Sequence, residues 1–228
     1  MSDQTKEPQY QILLDQQKSK GLMSLGLMSS QVWRDDPKRL AFLLSRYKFV
    51  AKMFSGMGRV LEVGCADAFG TRVVQQEVRQ VVATDFDPVF VRFVNEHSDP
   101  ERPLLCKVHD MVQGALDGDF DGVFALDVLE HIPLPDEDRF LRNLKDSLAP
   151  QGVCILGTPS LESQLYASAP SKEGHVNCKT GADLKQTLQR HFHNVFIFSM
   201  NDEVVHTGFY QMAHYLFAVC CFKRELDV

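Results

Sequence analysis

Carboxylates recur where apolar runs end, and one of these ends also carries a histidine. In "LDVLEHIP", Asp127, Glu130 and His131 stand at i, i+3 and i+4. On a helical turn such residues share one face. Histidine exchanges a proton near neutral pH, so His131 is a candidate general base beside Asp127. Two carboxylates and an imidazole would also suit a hard or borderline cation. A second stretch, "RVLEVGCADAFGT" over residues 59–71, has an acid, Glu62, followed by a small-residue turn. Gly64 lets backbone approach a ligand closely. Ala66 permits the same approach if its φ is negative, although Ala66 and Ala68 stand where such turns usually carry glycine. Asp67 would repel a pyrophosphate, which argues against a dinucleotide loop of the GxGxxG kind and suits a cationic ligand. From these residues alone the turn reads as a working cofactor loop, a decayed one, or an ordinary strand-to-helix turn.

Further along, Asp85 lies 21 residues after Gly64. It can accept hydrogen bonds from both hydroxyls of a ribose or cap the next helix. Asp87, directly before Pro88, is the better-placed cap. Asp110 can accept from an adenine amine or be an exposed turn acid.

Alternating elements must position these groups. "RVLEVG", "QVVATD", "PLLCKVHD", "FDGVFALD" and "GVCILGTP" read as apolar strands, and "GTRVVQQEVR", "PVFVRFVNEH" and "DEDRFLRNLKDSLA" as the helices between them. This alternation predicts a parallel sheet covered on both faces. After the helix "GADLKQTLQRHF", the strands "NVFIFSM" and "YQMAHYLFAVCCF" are joined by only about nine residues. That is too few for a parallel crossover, so they should pair antiparallel. The expected fold is α/β, Rossmann-like and doubly wound, with seven strands, mostly parallel, and an antiparallel C-terminal hairpin strand. Residues 1–57 are expected to form an N-terminal helical segment or lid and residues 58–228 the main domain. Residues 1–30 read as loosely structured, and residues 37–54 as a helix.

Composition narrows the function. The 228 residues carry a net charge of −6 and a pI near 5.7 with no run of Lys or Arg, so nucleic acid is not expected as a partner. The start is polar, without a signal-peptide pattern, and the longest apolar run, "YLFAVCCF", is too short for a membrane span. The six cysteines show no CxxC pair and read as free thiols, so a cytoplasmic location is expected.

Together these motifs resemble the class I S-adenosylmethionine-dependent methyltransferases. "VLEVGCADAFG" resembles the family's first motif, "VVATDFDP" its second, "KVHDM" its adenine-contacting segment and "DGVFALDVLEHI" its fourth. The resemblance covers roughly residues 58–222, and "DVLEHIP" looks closest to the subgroup with the ubiquinone-pathway O-methyltransferases. It implies S-adenosyl-L-methionine as cofactor. Glu62, Gly64, Cys65 and Ala66 would line its methionine part, largely through backbone. Asp85 would bind the ribose, and Asp110 with the Met111 backbone the adenine, with Phe86 against the adenine face. Asp127 and Val128 would flank the sulfonium. The cofactor's sulfonium and ammonium, and its lack of phosphate, fit Asp67.

His131 would be the base, or would hold its loop through backbone hydrogen bonds. Glu130, His175, His206 and Tyr210 are acceptor-side candidates, with Asn201, Asp202, Glu203 and Phe209 on the late loop. Trp33 and residues 34–36 would form a lid, and Arg39 or Arg46 would meet the cofactor carboxylate. His191, His193 and His214 read as structural. Some members of the subgroup hold a divalent metal with a group like Asp127, Glu130 and His131; no metal is expected here. The implied reaction is methylation of a small polar acceptor, a sugar hydroxyl or related metabolite. The alternatives are an aromatic quinone precursor and a non-catalytic module that binds the cofactor.

Overall fold

The computed structural model describes residues 4–225. Its elements, in chain order, are α1 (Gln11–Lys20), α2 (Leu27–Asp35), α3 (Lys38–Met53), β1 (Arg59–Val63), α4 (Thr71–Val74), β2 (Gln80–Asp85), α5 (Pro88–Glu96), β3 (Leu105–Val108), β4 (Phe120–Leu126), α6 (Leu134–Ser147), β5 (Leu148–Pro159), α7 (Ala169–Gly174), α8 (Gly181–Leu188), β6 (Phe192–Asn201), β7 (Val204–His206) and β8 (Tyr215–Lys223).

One sheet runs in the order β3-β2-β1-β4-β5-β8-β6-β7. Strands β1 to β5 pair in parallel, and β8 is antiparallel to both β5 and β6. The expected architecture is present, with eight strands among the described residues rather than seven. The extra strand arises in the nine-residue connection. Asp202, at φ 49, turns the chain so that Val204–His206 folds back on Ser199–Asn201.

Period-two alternation sends neighbouring side chains to opposite faces. Leu61, Val63, Val123, Ala125 and Leu216 pack beneath α6 and α8. Val60, Phe124, Leu126, Ile155 and Phe217 pack beneath α3, through Tyr47, Val50 and Phe54. Helix α3, expected in the N-terminal segment, is therefore built into the core of the main domain. Asp87 caps α5 as its place before Pro88 predicts, accepting from the Val89 amide. Residues 1–30 were expected to be loose, yet α1 forms there, with no buried residue. The stretch read as a ten-residue helix, "GTRVVQQEVR", keeps only the four residues of α4. No helix among the described residues is long and apolar enough to cross a membrane.

Strand order reverses between β1 and β4. Ligands of open α/β sheets bind beyond the carboxyl ends of the strands at such a point.

Candidate functional site

The turn after β1 is held by backbone and by two buried acids. The Gly64 and Cys65 amides donate to the Thr84 carbonyl. Asp85 accepts from the Ala66 amide at 2.9 Å with one oxygen and from the Asp87 amide at 2.9 Å with the other. Gly64 has φ 77, and a β-carbon there would collide with Val128, so the β1 turn lies directly against the β4 turn. Ala66 and Ala68 have φ 47 and 54. The sequence reading asked for a negative φ at Ala66. Both alanines instead adopt the left-handed conformation that glycine takes freely, at a steric cost the rest of the turn must offset.

Glu62 is buried. It accepts from the Tyr47 hydroxyl at 2.8 Å and the Thr71 hydroxyl at 2.6 Å, joining α3, β1 and α4. Burial pushes its carboxyl up to about 7 against these two hydrogen bonds. Asp67 does not stand open to a cation. It accepts from the Ser29 amide at 2.8 Å and the Ser29 hydroxyl at 3.3 Å, fastening the start of α2 over the loop. Trp33 on α2 is exposed, as is Arg39.

Beyond β2 and β3, Phe86 is exposed and Asp110 is exposed, with one Asp110 oxygen accepting from the Val112 amide. Met111 is buried, and its carbonyl accepts from Asn143.

The turn after β4 gathers the most chemistry. Asp127, at φ 57, is anchored through its amide to the Gly157 carbonyl. Its carboxylate accepts from Arg46 Nη1 at 2.9 and 2.8 Å, and the guanidinium lies 3.8 Å over the Tyr215 ring. Glu130 is fully buried, with Oε2 accepting from the Thr158 hydroxyl at 3.1 Å. Burial and then repulsion from Asp127 push its carboxyl up to about 8. Three buried polar atoms here have no hydrogen-bond partner: Arg46 Nε, Glu130 Oε1 and the Tyr215 hydroxyl. A buried polar group left unpaired costs about 1–3 kcal/mol, so this clustering fits a region shaped for a polar ligand.

His131 Nδ1 lies 2.9 Å from the Gly174 carbonyl and His175 Nδ1 lies 2.8 Å from Gln164 Oε1. A carbonyl oxygen only accepts, so both Nδ1–H groups donate, and each neutral ring keeps its lone pair on Nε2. The two rings meet edge to face at 5.1 Å. Burial, then the neighbouring His131, lowers the His175 imidazole below its ordinary value.

Asp127, Val128, Glu130, His131 and His175 thus come together. His206 does not join them. It sits on β7 at the far edge of the sheet, where Nε2 meets Asn201 Oδ1 and Nδ1 accepts from the Gly208 amide. Tyr210 packs against Gly181 at the start of α8. His214, read as structural, accepts the Asp202 amide and braces the late loop. Tyr215, Thr158 and Gln164 were not singled out from sequence. Tyr215 opens an apolar strand and carried no signal, whereas Arg46 interrupts the inward stripe of α3 between Leu43 and Val50.

Residues 61–156 match the family model described as a methyltransferase domain. Two Mycobacterium tuberculosis proteins named as probable S-adenosylmethionine-dependent methyltransferases are each 29% identical over 101 residues, which is 44% of this chain and 35% of theirs. The chain therefore spans about a third of the length of the curated relatives it matches. Among solved structures, the N-methyltransferase NodS of Bradyrhizobium japonicum, bound to S-adenosyl-L-homocysteine, superposes with TM-score 0.59 at 16% identity, covering 83% of this chain and 91% of that one. A TehB-like S-adenosylmethionine-dependent methyltransferase of Corynebacterium glutamicum superposes with TM-score 0.63 at 18% identity, covering 85% and 96%. A Haloferax volcanii complex of the Trm112 methyltransferase activator gives 0.68 at 13% identity, covering 87% and 97%. At these identities the superpositions speak for the fold, and the family model speaks for the motifs. Residues 61–156 thus carry the sequence pattern of a methyltransferase domain, on a fold shared with solved methyltransferases.

Proposed function

We propose that this protein transfers the methyl group of S-adenosylmethionine to a hydroxyl of a small polar acceptor, such as a sugar or related metabolite. The observation that carries the reading is His131, whose Nδ1 is fixed on the Gly174 carbonyl so that Nε2 is left to take a proton. It lies just beyond β4, beside the turn whose Val128 abuts Gly64.

When bound, the cofactor supplies a methyl carbon activated by its sulfonium. The residues present fit it. Asp85 offers its carboxylate to the ribose hydroxyls while keeping the Ala66 amide in place. Asp110 and the Met111 backbone serve the adenine, and exposed Phe86 offers its ring to the adenine face. The backbone of residues 64–66 receives the methionine part, and Glu62 holds that turn from behind. Asp127 and Val128 stand on the sulfonium side, with Asp127 oriented by Arg46. His131 accepts the acceptor's hydroxyl proton at Nε2, which leaves the oxygen a better nucleophile for in-line attack. Glu130, His175 and Gln164 make the acceptor side polar, which favours a hydroxylated molecule. Helix α2, fastened through Ser29 to Asp67, acts as the lid.

Three measurements test this. Calorimetry should give a cofactor dissociation constant on the order of micromolar, about 8 kcal/mol. An acceptor screen by mass should find products heavier by one methyl group. With an acceptor in hand, His131→Gln should lower turnover roughly a hundredfold while cofactor affinity stays within a few-fold. Retention of most activity by that variant would remove His131 from the role of base.

A further inference from the structure

We propose that the amino ends of β2 and β3, at the end of the sheet opposite the crevice, form a binding site for a small organic phosphate of the sugar-phosphate class. A cavity of about 970 Å³ opens there. Three arginines line it: Arg72 on α4, Arg79 between α4 and β2, and Arg102 between α5 and β3. Because they come from separate segments, the sequence shows no basic run. A net charge of −6 thus conceals a local concentration of positive charge.

Three features point to a ligand. First, the guanidiniums have no carboxylate of their own. None of the three forms an ion pair among the described residues, and the neighbouring acids are already engaged. Glu77 pairs with Lys52, Glu101 with Lys20 at 2.7 Å, and Asp99 accepts from the Glu101 amide at 2.9 Å. Burial, then repulsion from Arg102, lowers the Arg72 guanidinium below its ordinary value, and attraction from Asp99 counts for less. An anion placed between the two arginines relieves that repulsion. Second, the arginines are positioned before any ligand binds. The Arg102 amide donates to the Asp99 carbonyl at 3.0 Å, the Leu104 amide donates to the Ser98 hydroxyl at 3.2 Å, and Pro100 and Pro103 stiffen the same turn. Arg72 Nη1 lies 3.5 Å from Gln75 Oε1. Third, the remaining wall suits an organic body. Val81 and Leu104 supply apolar surface, and the side-chain amides of Gln76 and Gln80 can pair with hydroxyls.

Guanidinium forks match phosphate oxygens two at a time, and a phosphate dianion can answer more than one arginine. The amides and the apolar surface then favour a phosphate carried on a hydroxylated body over the free ion. S-adenosylmethionine has no phosphate and belongs at the other end of the sheet, so this site is separate from the crevice and does not depend on the proposed reaction.

The test titrates glucose 6-phosphate and ribose 5-phosphate into the full-length protein in phosphate-free buffer of low ionic strength, with inorganic phosphate and glucose as separate arms. At least one sugar phosphate should bind once per chain, with a dissociation constant on the order of 0.1 mM or tighter. Inorganic phosphate should bind roughly tenfold more weakly, and glucose should not bind. Arg72→Gln and Arg102→Gln should each weaken sugar-phosphate binding roughly tenfold or more. Without ligand, Arg102→Gln should raise the midpoint of thermal unfolding, because it removes a like-charge contact. Arg139→Gln on α6 should alter neither readout. Binding of S-adenosyl-L-homocysteine within a few-fold of wild type is the folding control for all three variants. Absence of binding by both sugar phosphates, or binding that the Arg72 and Arg102 variants leave unchanged, overturns the proposal. Inorganic phosphate binding as tightly as the sugar phosphates overturns it too, since the wall then recognises only the ion.

Discussion

Arg46 on α3 holds Asp127, 81 positions away at the end of β4, through Nη1 contacts of 2.9 and 2.8 Å to its two oxygens. The pair joins the first long helix to the strand end at the centre of the crevice, and Tyr215 roofs it from β8. Both side chains are only partly exposed, 17% and 31%, so solvent screens the contact less than it screens a surface pair. Arg46→Met and Asp127→Asn, alone and together in a double-mutant cycle by urea unfolding, should show a coupling of about 1–2 kcal/mol. Additivity within about 0.3 kcal/mol would mean the two merely lie close.

Ala66 and Ala68 occupy left-handed backbone that glycine adopts without steric cost. Ala66→Gly and Ala68→Gly should each stabilise the protein, by about 0.5–1 kcal/mol, once glycine's extra unfolded-state freedom is set against the relieved strain. A raised midpoint in thermal or urea unfolding checks this. A lowered midpoint for both would show that the turn relaxes without strain.

Glu62 gives the fold an unusual pH response. Its carboxyl is raised by burial from 4.5 to about 7, so between those values the folded state holds a proton the unfolded chain has lost. Stability from this group is complete below about pH 4.5 and falls as pH rises through about 7, by about 3 kcal/mol in all. Glu62→Gln should remove that component. The wild-type-minus-variant difference in unfolding free energy, followed from about pH 4 to about pH 8, should decline over that window. A flat difference would show that the Tyr47 and Thr71 hydroxyls keep the carboxylate ionised throughout.

Asp85 carries two roles on one carboxylate. Its oxygens already accept from the Ala66 and Asp87 amides, so removing it disturbs the loop as well as the expected ribose contacts. Asp85→Asn, which preserves shape, should weaken S-adenosyl-L-homocysteine binding by roughly 10–100-fold, corresponding to the 1.5–3 kcal/mol of a charged hydrogen bond. Its midpoint of unfolding should drop less than that of Asp85→Ala. Unchanged affinity in the Asn variant would confine Asp85 to holding the turn.

The strands of the parallel sheet were legible because their apolar runs are continuous and end in acids, and the short late connection dictated the antiparallel pairing. Local pattern could not show what tertiary contact decides. The helix read over "GTRVVQQEVR" shortens because only Thr71 and Val74 of α4 find the core. Asp67 was read as facing a cation, yet its partner is Ser29, 38 positions earlier. His131 and His175, 44 positions apart in sequence, meet where residues 176 and 177 dock on the Glu130 carbonyl and His131 bonds to Gly174. His206 shows the reverse case: a loop expected to overhang the crevice gained its own strand and carried the histidine to the sheet edge.

Strand β8 follows β6 and β7 in the chain but lies between β5 and β6 in the sheet. During vectorial synthesis, β1 to β5 can zip together as each emerges, whereas β6 and β7 have no edge to join until Tyr215–Lys223 arrives. The β5–β8 pairing, as sequence-distant as that of β1 with β4, therefore forms last and carries a comparable loop-closure cost. It also brings in Tyr215, so the guanidinium of Arg46 gains its aromatic roof only when the sheet is complete. A nascent chain stalled before β8 therefore has the turn after β1 but lacks the Tyr215 side of the crevice.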